Sequence, residues 1–272
     1  MDQIGATSLM TAALRARETD RPDRICADPY AVSFIRAVGH GLPPHADGFV
    51  EHMAEQVAVR TRFLDDALLE AAAGGRDQVV LVACGMDSRV FRLDWPAGGT
   101  TELTVFEVDQ APVLAFKDVV LAAAAATPHA RRRTVGVDLR DDWVGALLTA
   151  GFDASRPAAW LTEGLLYALD EPAADTLLDR ITTASAPGST IAFDHLEASP
   201  SFRTALREID PALDALWRGG PGDPGQWLSR HGWNPEVHEL ADIAADHGRS
   251  VHPSFDPGRA DSTHNWLVTA TL

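Results

Sequence analysis

The chain has 272 residues and a mass of 29.2 kDa, and its 39 acidic side chains against 23 basic ones give a formal net charge of −16 at pH 7. This length suits one large domain, and the acidity excludes a general binder of nucleic-acid backbone or of an anionic membrane, because the long-range field repels both. The two distant cysteines exclude a disulfide scaffold and a zinc ribbon.

Residues 1–75 predict a helical N-terminal extension. The first residues lack the continuous apolar segment of a secretion signal, and no run approaches the roughly 18 apolar residues that span a bilayer, so we expect a cytoplasmic protein. Residues 9–18 are good helix formers, and prolines and aspartates in 20–29 favour turns. Apolar side chains then recur at helical spacing over 49–73 and end at two glycines.

Residues 76–195 have the pattern of a parallel α/β core. The short apolar run 78–84, closed by Gly85, is typical of a buried parallel strand. Strands that alternate with helices favour a doubly wound, mostly parallel sheet. We predict further strands near 103–108, 133–137, 158–162 and 189–194, with helices over 111–126, 141–150 and 171–185.

The last third of the chain departs from this alternation. Residues 196–230 include a segment rich in glycine and proline at 219–225, which we interpret as a lid-like insertion on the substrate side. Residues 231–272 are predicted to supply the C-terminal strands, of which the last is antiparallel. The whole chain is therefore predicted to form one domain.

The turn after the first predicted strand and the end of the second indicate a cofactor site. Ligands of open α/β sheets bind beyond the carboxyl ends of the strands, at the switch point. Gly85 opens the turn, and Asp109 follows at a spacing typical of an acidic residue that binds ribose hydroxyls. Asp138 and Glu163 close the next two strands. One such residue is more often a helix cap, but three at successive strand ends predict binding of an adenosine cofactor.

The same turn argues against a phosphate-containing cofactor. It has one glycine where the dinucleotide fingerprint has three, and Asp87 in the turn would repel a pyrophosphate. The P-loop motif is also missing from the sequence. S-adenosylmethionine carries a sulfonium and an ammonium and no phosphate, so acidic strand ends favour it over NAD.

Several stretches together resemble the leucine carboxyl methyltransferase family, and more closely its bacterial branch that includes tetracenomycin-pathway O-methyltransferases. They are VRTRFLDDALLEAA, VVLVACGMDSRVFRL, FEVDQAPVLAFK, VGVDLRDDW and LTEGLLYAL. The resemblance implies a class I methyltransferase fold, which is Rossmann-like. It also implies contacts to S-adenosylmethionine from Arg60 (methionine carboxylate), the backbone of Ala83 and Gly85, Asp109 (ribose), Asp138 with Leu139 (adenine) and Glu163 (methionine moiety).

The chain departs from the family pattern at two places. Ala83 replaces the first glycine of the turn, which adds one methyl beside the cofactor. Ala168 stands where a tyrosine is common, and Tyr167 lies one position earlier. The second departure lies where a substrate would be contacted, so Tyr167 is a candidate catalytic residue.

The histidines are the candidate bases for methyl transfer. The cofactor supplies the reactivity of an in-line displacement, and the protein orients the reactants and excludes water. A carboxylate acceptor needs no base, whereas a phenol with a pKa near 10 benefits from one. His195, after the fifth predicted strand, is the first candidate, although a histidine in such a place more often has no catalytic role. No motif has the spacing of metal ligands.

The residues therefore predict an S-adenosylmethionine-dependent O-methyltransferase that acts on a carboxylate or hydroxyl of a small, polyketide-like secondary metabolite. The alternatives are methylation of a protein C-terminal carboxylate, a binding scaffold that does not methylate, and, least favoured, an NAD dehydrogenase. A homodimer is left open. The arginines at 131–133 are interpreted as a solvated loop. Four aromatic residues are expected in core or lid packing, or in an apolar wall for the acceptor: Phe202, Trp217, Trp227 and Trp233.

Overall fold

A seven-stranded sheet forms the centre of the protein in a computed structural model, which describes residues 3–39, 46–96, 102–209 and 214–272. The strands are β1 (Gln78–Val82), β2 (Thr104–Asp109), β3 (Arg131–Gly136), β4 (Ala159–Thr162), β5 (Thr190–Glu197), β6 (Asn234–Glu239) and β7 (His264–Thr271). Their order is β3-β2-β1-β4-β5-β7-β6. The first five are parallel, and β7 runs antiparallel to both β5 and β6.

This topology confirms the predicted doubly wound α/β sheet with an antiparallel C-terminal strand. The order reverses between β1 and β4, so the switch point at which ligands bind lies at the carboxyl ends of these two strands. All five residues of β1 are buried, as its apolar run predicted. The sequence of β6, NPEVHE, is mostly polar and none of its residues is buried, so no apolar run marked its bounds.

Helices cover both faces of the sheet. They are α1 (Gln3–Thr19), α2 (Ala31–Val38), α3 (Ala46–Ala73), α4 (Arg89–Arg92), α5 (Ala111–Ala123), α6 (Trp143–Thr149), α7 (Glu171–Thr183), α8 (Pro200–Ile209), α9 (Pro224–Arg230) and α10 (Leu240–Asp246), with 3-10 turns at Leu166–Ala168 and Pro253–Phe255. In the described ranges, none of these helices has the length and apolar character needed to cross a membrane.

The core has three parts. On one face, the sheet packs with α6 and α7 around Trp143 and Trp160, which are fully buried. On the other face, Leu64 and Leu68 of α3 pack against β1, so α3 belongs to the layered core although it lies within the predicted extension. The third part, which we call the cap, joins the end of β5 to α1, α3, α8 and the segment after it. Its members include Leu14, Val57, Leu196, Phe202, Trp217 and Phe255.

The arginines at 131–133 correct one sequence interpretation. They lie within the outer strand β3 and do not form a solvated loop before it. Charged side chains on an edge strand oppose pairing with another sheet. Arg132 also has an internal role, because its Nε donates to Glu107 at 2.7 Å and its Nη1 to Asp118 at 2.6 Å.

The only lysine of the chain, Lys117 in α5, is fully buried. Its Nζ lies 2.7 Å from Oε1 of Glu107, which is also fully buried on β2. Burial by itself would lower the pKa of Lys117, but the negative groups around it, Glu107 and Asp87 among them, outweigh burial and raise it. The pair therefore stays ionised and ties α5 to the middle of β2.

We predict that Lys117→Met destabilises the protein by about 3–5 kcal/mol, because it leaves the buried Glu107 carboxylate with Arg132 as its remaining cation. Urea unfolding followed by circular dichroism measures this change. Arg62→Met is the control, since Arg62 and Asp66 form an exposed pair on α3, and we expect a change within about 0.5 kcal/mol. Equal stability losses in the two variants would contradict the prediction.

Candidate functional site

The turn after β1 and the end of β2 are joined by a hydrogen bond. The backbone N–H of Gly85 donates to Oδ2 of Asp109 at 2.7 Å, and Oδ1 of Asp109 accepts from the N–H of Gln110 at 2.7 Å. Burial raises the pKa of Asp109, and these two backbone donors act against the rise. The structure thus brings together the two residues that the sequence predicted to hold a ribose.

Glycine at position 85 is required for two physical reasons. Its φ of +46° lies in the left-handed region, where a side chain is strained. A Cβ at this position would also lie 2.6 Å from the hydroxyl oxygen of Ser8 on α1. The missing side chain therefore lets α1 approach the turn closely.

Ala83 adopts a conformation that favours glycine. Its φ is +54°, in the left-handed region where Cβ approaches the following carbonyl oxygen. This is the position at which the family pattern has glycine. Ala83 therefore adopts a conformation suited to glycine, at the cost of local strain.

Asp87 corrects part of the argument against phosphate. Its carboxylate is buried and ion-paired with Arg89. Burial alone would raise the pKa of Asp87, but Arg89, Arg15 and Lys117 together lower it. The charge of Asp87 is thus neutralised inside the protein, and the case against a pyrophosphate depends on the single glycine in the turn.

Asp138 and Leu139 lie just beyond β3. The carboxylate of Asp138 accepts from Gln110 Nε2 at 3.2 Å and from Arg140 Nη2 at 2.7 Å, and its hydrogen bonds with Arg140 lower its pKa to about 2. The carbonyl of Leu139 accepts from Arg180 Nη1 at 3.0 Å. Gln110 is the neighbour of Asp109, so Asp138 is linked to the residue predicted to bind the ribose through one side chain.

Three arginines surround Glu163 at the end of β4. Oε1 accepts from Arg15 Nη2 at 2.8 Å and from Arg60 Nε at 2.9 Å, and Oε2 accepts from Arg89 Nη1 at 2.6 Å. Burial alone would raise the pKa of Glu163, but Arg15, Arg89 and Arg60 hold it well below its usual range. Glu163 therefore stays ionised at the switch point. It contacts Arg60, for which the family resemblance implies binding of the methionine carboxylate.

Asp194 belongs to the same cluster, although the sequence-based prediction of site residues did not include it. It ends the apolar part of β5, is fully buried, and accepts from Arg60 Nη1 at 3.0 Å and from the Gly164 N–H at 2.6 Å. Burial raises its pKa. The rule that selected Asp109, Asp138 and Glu163, an acidic residue at a strand end, would also have selected Asp194.

Tyr167 packs in the cap next to the Glu163 cluster. Its ring stacks on Trp217 with centroids 4.8 Å apart and an interplanar angle of 9°. Burial raises the pKa of Tyr167 to about 12, so the phenol stays protonated at neutral pH and can donate a hydrogen bond. Phe202 also lies in the cap, whereas Trp227 and Trp233 bond to α7 through Asp175 and Thr182 and belong to the core.

His195 lies inside the protein. It is fully buried and stacks on Trp266. Gly220 packs closely against both the His195 ring and the Leu166 carbonyl. Among the described residues, neither ring nitrogen has a hydrogen bond of ordinary geometry. Burial lowers the pKa of His195 to about 4, and the backbone of Pro221 only partly opposes this. The imidazole is neutral at pH 7, and its catalytic role stays a prediction.

These residues fit S-adenosylmethionine. The ribose diol needs hydrogen-bond acceptors and a backbone that it can approach closely, which Asp109 and Gly85 offer. The amino-acid end needs an anion for its ammonium and a cation for its carboxylate, which Glu163 and Arg60 offer. Within the described ranges, no group of three or more histidine, cysteine or acidic side chains could hold a metal ion.

Comparison with known proteins places the chain in a family. A family model described as leucine carboxyl methyltransferase matches residues 8–182, which is more than half of the chain. The chain belongs to the leucine carboxyl methyltransferase family. The predicted enzyme class, a methyltransferase, is thereby confirmed, and the predicted cofactor, S-adenosylmethionine, is that of this class.

Relatives and solved structures agree with this membership. A Mycolicibacterium smegmatis protein, provisionally named an S-adenosyl-L-methionine-dependent methyltransferase, is 42% identical over 267 residues, covering 90% of this chain and 88% of that protein. A Thermobifida fusca crystal structure, provisionally described as a methyltransferase, is 18% identical with a TM-score of 0.57, covering 88% and 92% of the two chains. A geranyl diphosphate methyltransferase in complex with SAM has a TM-score of 0.51 at 13% identity, covering 87% and 94%. The structural similarities support the fold alone.

We predict that Ala83→Gly stabilises the protein by about 1 kcal/mol, because glycine removes the left-handed strain at φ +54°. Thermal unfolding measures the change. Ala122→Gly, at an exposed position within α5, is the matched control and should destabilise by about 0.5–1 kcal/mol. A loss of stability in Ala83→Gly would contradict the prediction.

We predict that His195→Leu reduces the loss of stability between about pH 6.5 and pH 4. In the wild type the unfolded state binds a proton on His195 in this pH range, whereas the buried imidazole of the folded state stays neutral down to about pH 4. The free energy of unfolding therefore falls as pH decreases through this window. The free energy of unfolding of the variant should fall by about 2–3 kcal/mol less. His52, whose pKa is also lowered by burial to about 4, titrates in both proteins and so does not affect the difference. Urea unfolding across this range measures the slopes, and parallel slopes would show that His195 is already accessible to protons.

Proposed function

We propose that this chain transfers a methyl group from S-adenosylmethionine to a carboxylate or hydroxyl oxygen of a small secondary metabolite. One observation carries the proposal: the Gly85–Asp109 turn and the Glu163 cluster lie at the ends of adjacent strands of the sheet. The first offers acceptors to a ribose, and the second offers both charges to an amino acid. The family membership supports the same cofactor.

Each residue has a distinct part in binding. Asp109 would hold the ribose, and Asp138 with Leu139 would lie on the adenine side. Glu163 would hold the ammonium and Arg60 the carboxylate of the amino-acid end. The bound cofactor supplies a sulfonium-activated methyl group. These residues orient it, so that an acceptor oxygen held in line can react without further reorganisation.

The cap supports an apolar or aromatic acceptor. Beside the Glu163 cluster it offers the stacked pair Tyr167 and Trp217, and Phe202 packs edge-on against Trp217 with centroids 5.8 Å apart. Aromatic walls with few polar groups are typical of sites for small organic ligands. A protonated Tyr167 would donate a hydrogen bond to an acceptor oxygen.

The family name favours a second candidate, methylation of a protein C-terminal carboxylate. Labelled cofactor separates the two. Label that enters small organic acids or phenols supports the proposed function, and label that stays with cell-lysate protein supports the alternative. Wild-type protein that binds cofactor but labels neither class would favour a scaffold that does not methylate.

We predict that the wild type binds S-adenosylhomocysteine and that Asp109→Ala weakens this binding at least tenfold, because the variant removes the carboxylate facing the ribose. Isothermal titration calorimetry measures both. The control is Asp246→Ala, an exposed aspartate in α10, which should bind like the wild type. No binding to the wild type, or unchanged binding in Asp109→Ala, would reject the cofactor site.

A further inference from the structure

We propose that Arg89 is a positioning residue for the cofactor's amino-acid end. It fixes one oxygen of Glu163 in place and so leaves the other oxygen to exchange partners when the ammonium binds. This inference rests on the proposed function, because it concerns the same cofactor. Arg89 is not among the residues that the family resemblance implies as contacts to the cofactor.

Arg89 is anchored by three carboxylates from separate segments of the chain. Its side chain is fully buried, and its Nη1 donates to Glu163 Oε2 at 2.6 Å. Its Nε donates to Asp65 Oδ1 on α3 at 2.6 Å, and it is also ion-paired with Asp87 in the turn after β1. One guanidinium thus connects the β1 turn, α3 and the end of β4. A planar guanidinium with several fixed donors can do this, whereas a lysine ammonium cannot.

A second arginine holds the anchor itself. Arg92, one turn further along α4, donates from Nη1 and Nη2 to the two oxygens of Asp65 at 2.6 and 2.7 Å. Its side chain is 3% exposed. Arg92 is nearly as buried as Arg89 and binds the same aspartate, but among the described residues it has no hydrogen bond or ion pair with Glu163. Arg92 therefore supports Glu163 only through Asp65 and Arg89.

The other oxygen of Glu163 has exchangeable partners. Oε1 accepts from both Arg15 and Arg60. Arg60 has a second acceptor in Asp194 at 3.0 Å, and Arg15 has only a long contact of 3.5 Å to Thr61 Oγ1 besides Glu163. An ammonium that arrives at Oε1 would therefore displace Arg60 at the smaller loss, because Arg60 keeps its bond to Asp194. The displaced Arg60 guanidinium would then be free to bind the carboxylate of the same ligand, as the proposed function requires.

The charges of the cluster balance. Four arginines, each with a side chain no more than 6% exposed, face four carboxylates, so 4 − 4 leaves no net charge. A neutral cluster of alternating charges accepts a zwitterion without leaving a buried ion unpaired. The members are Arg15, Arg60, Arg89 and Arg92 with Asp65, Asp87, Glu163 and Asp194.

Two ligands separate positioning of Glu163 from general damage. S-adenosylhomocysteine carries the amino-acid end, and 5′-methylthioadenosine has the same nucleoside without it. We expect Arg89→Lys to reduce the preference for S-adenosylhomocysteine over 5′-methylthioadenosine by about tenfold, because lysine cannot hold Asp65 and Glu163 together. Titration calorimetry with both ligands measures the ratio of the two affinities.

Arg249→Lys is the matched control, since Arg249 is also a buried arginine, 6% exposed, but is ion-paired with Glu18 and Glu55. Its ratio should stay within about threefold of the wild type, even if thermal unfolding shows an equal loss of stability in both variants. If Arg89→Lys does not fold, Asp65→Asn serves instead, since it loosens Arg89 while every contact to Glu163 keeps its charge. An unchanged ratio in Arg89→Lys or Asp65→Asn, or an equal change in Arg249→Lys, would overturn the inference. If the wild type binds neither ligand, the result would instead reject the proposed function.

Discussion

The carboxylate of Glu163 is the charge on which the arrangement of the site depends. It lies at the end of β4, where the strand order reverses, and accepts hydrogen bonds from arginines on α1, α3 and α4. Because these helices reach the sheet from different directions, one buried anion holds them together at the carboxyl edge. Removing a partner from such a cluster leaves an uncompensated buried charge, so the helices and the site are stabilised as a unit.

The turn after β1 shows a second constraint, which comes from the backbone. Both Ala83 and Gly85 have positive φ, and α1 lies directly against the glycine. The turn is thus shaped by left-handed residues and by the approach of a helix from the start of the chain. The close approach of α1 also positions Arg15, since Ser8 and Arg15 lie on the same helix, two turns apart.

Much of the fold could be predicted from the sequence, because buried parallel strands leave continuous apolar runs such as that of β1. β6 lacks such a run, because it lies at the outer edge of the sheet and none of its residues is buried. The arginines of β3 were misread for a related reason. On an edge strand, charged residues can be part of the sheet, and a run of charge is then no evidence of a loop.

The sequence by itself determined the α/β class, the family, and the places of Asp109 and Glu163, because strand ends and spacing are local properties of the chain. Only the tertiary structure decided which charges meet. Arg15, Arg60 and Arg89 come from distant segments, and their convergence on Glu163 depends on how α1, α3 and α4 pack. It also placed His195 in the interior, where desolvation keeps it neutral, since burial depends on the neighbours that the fold brings together.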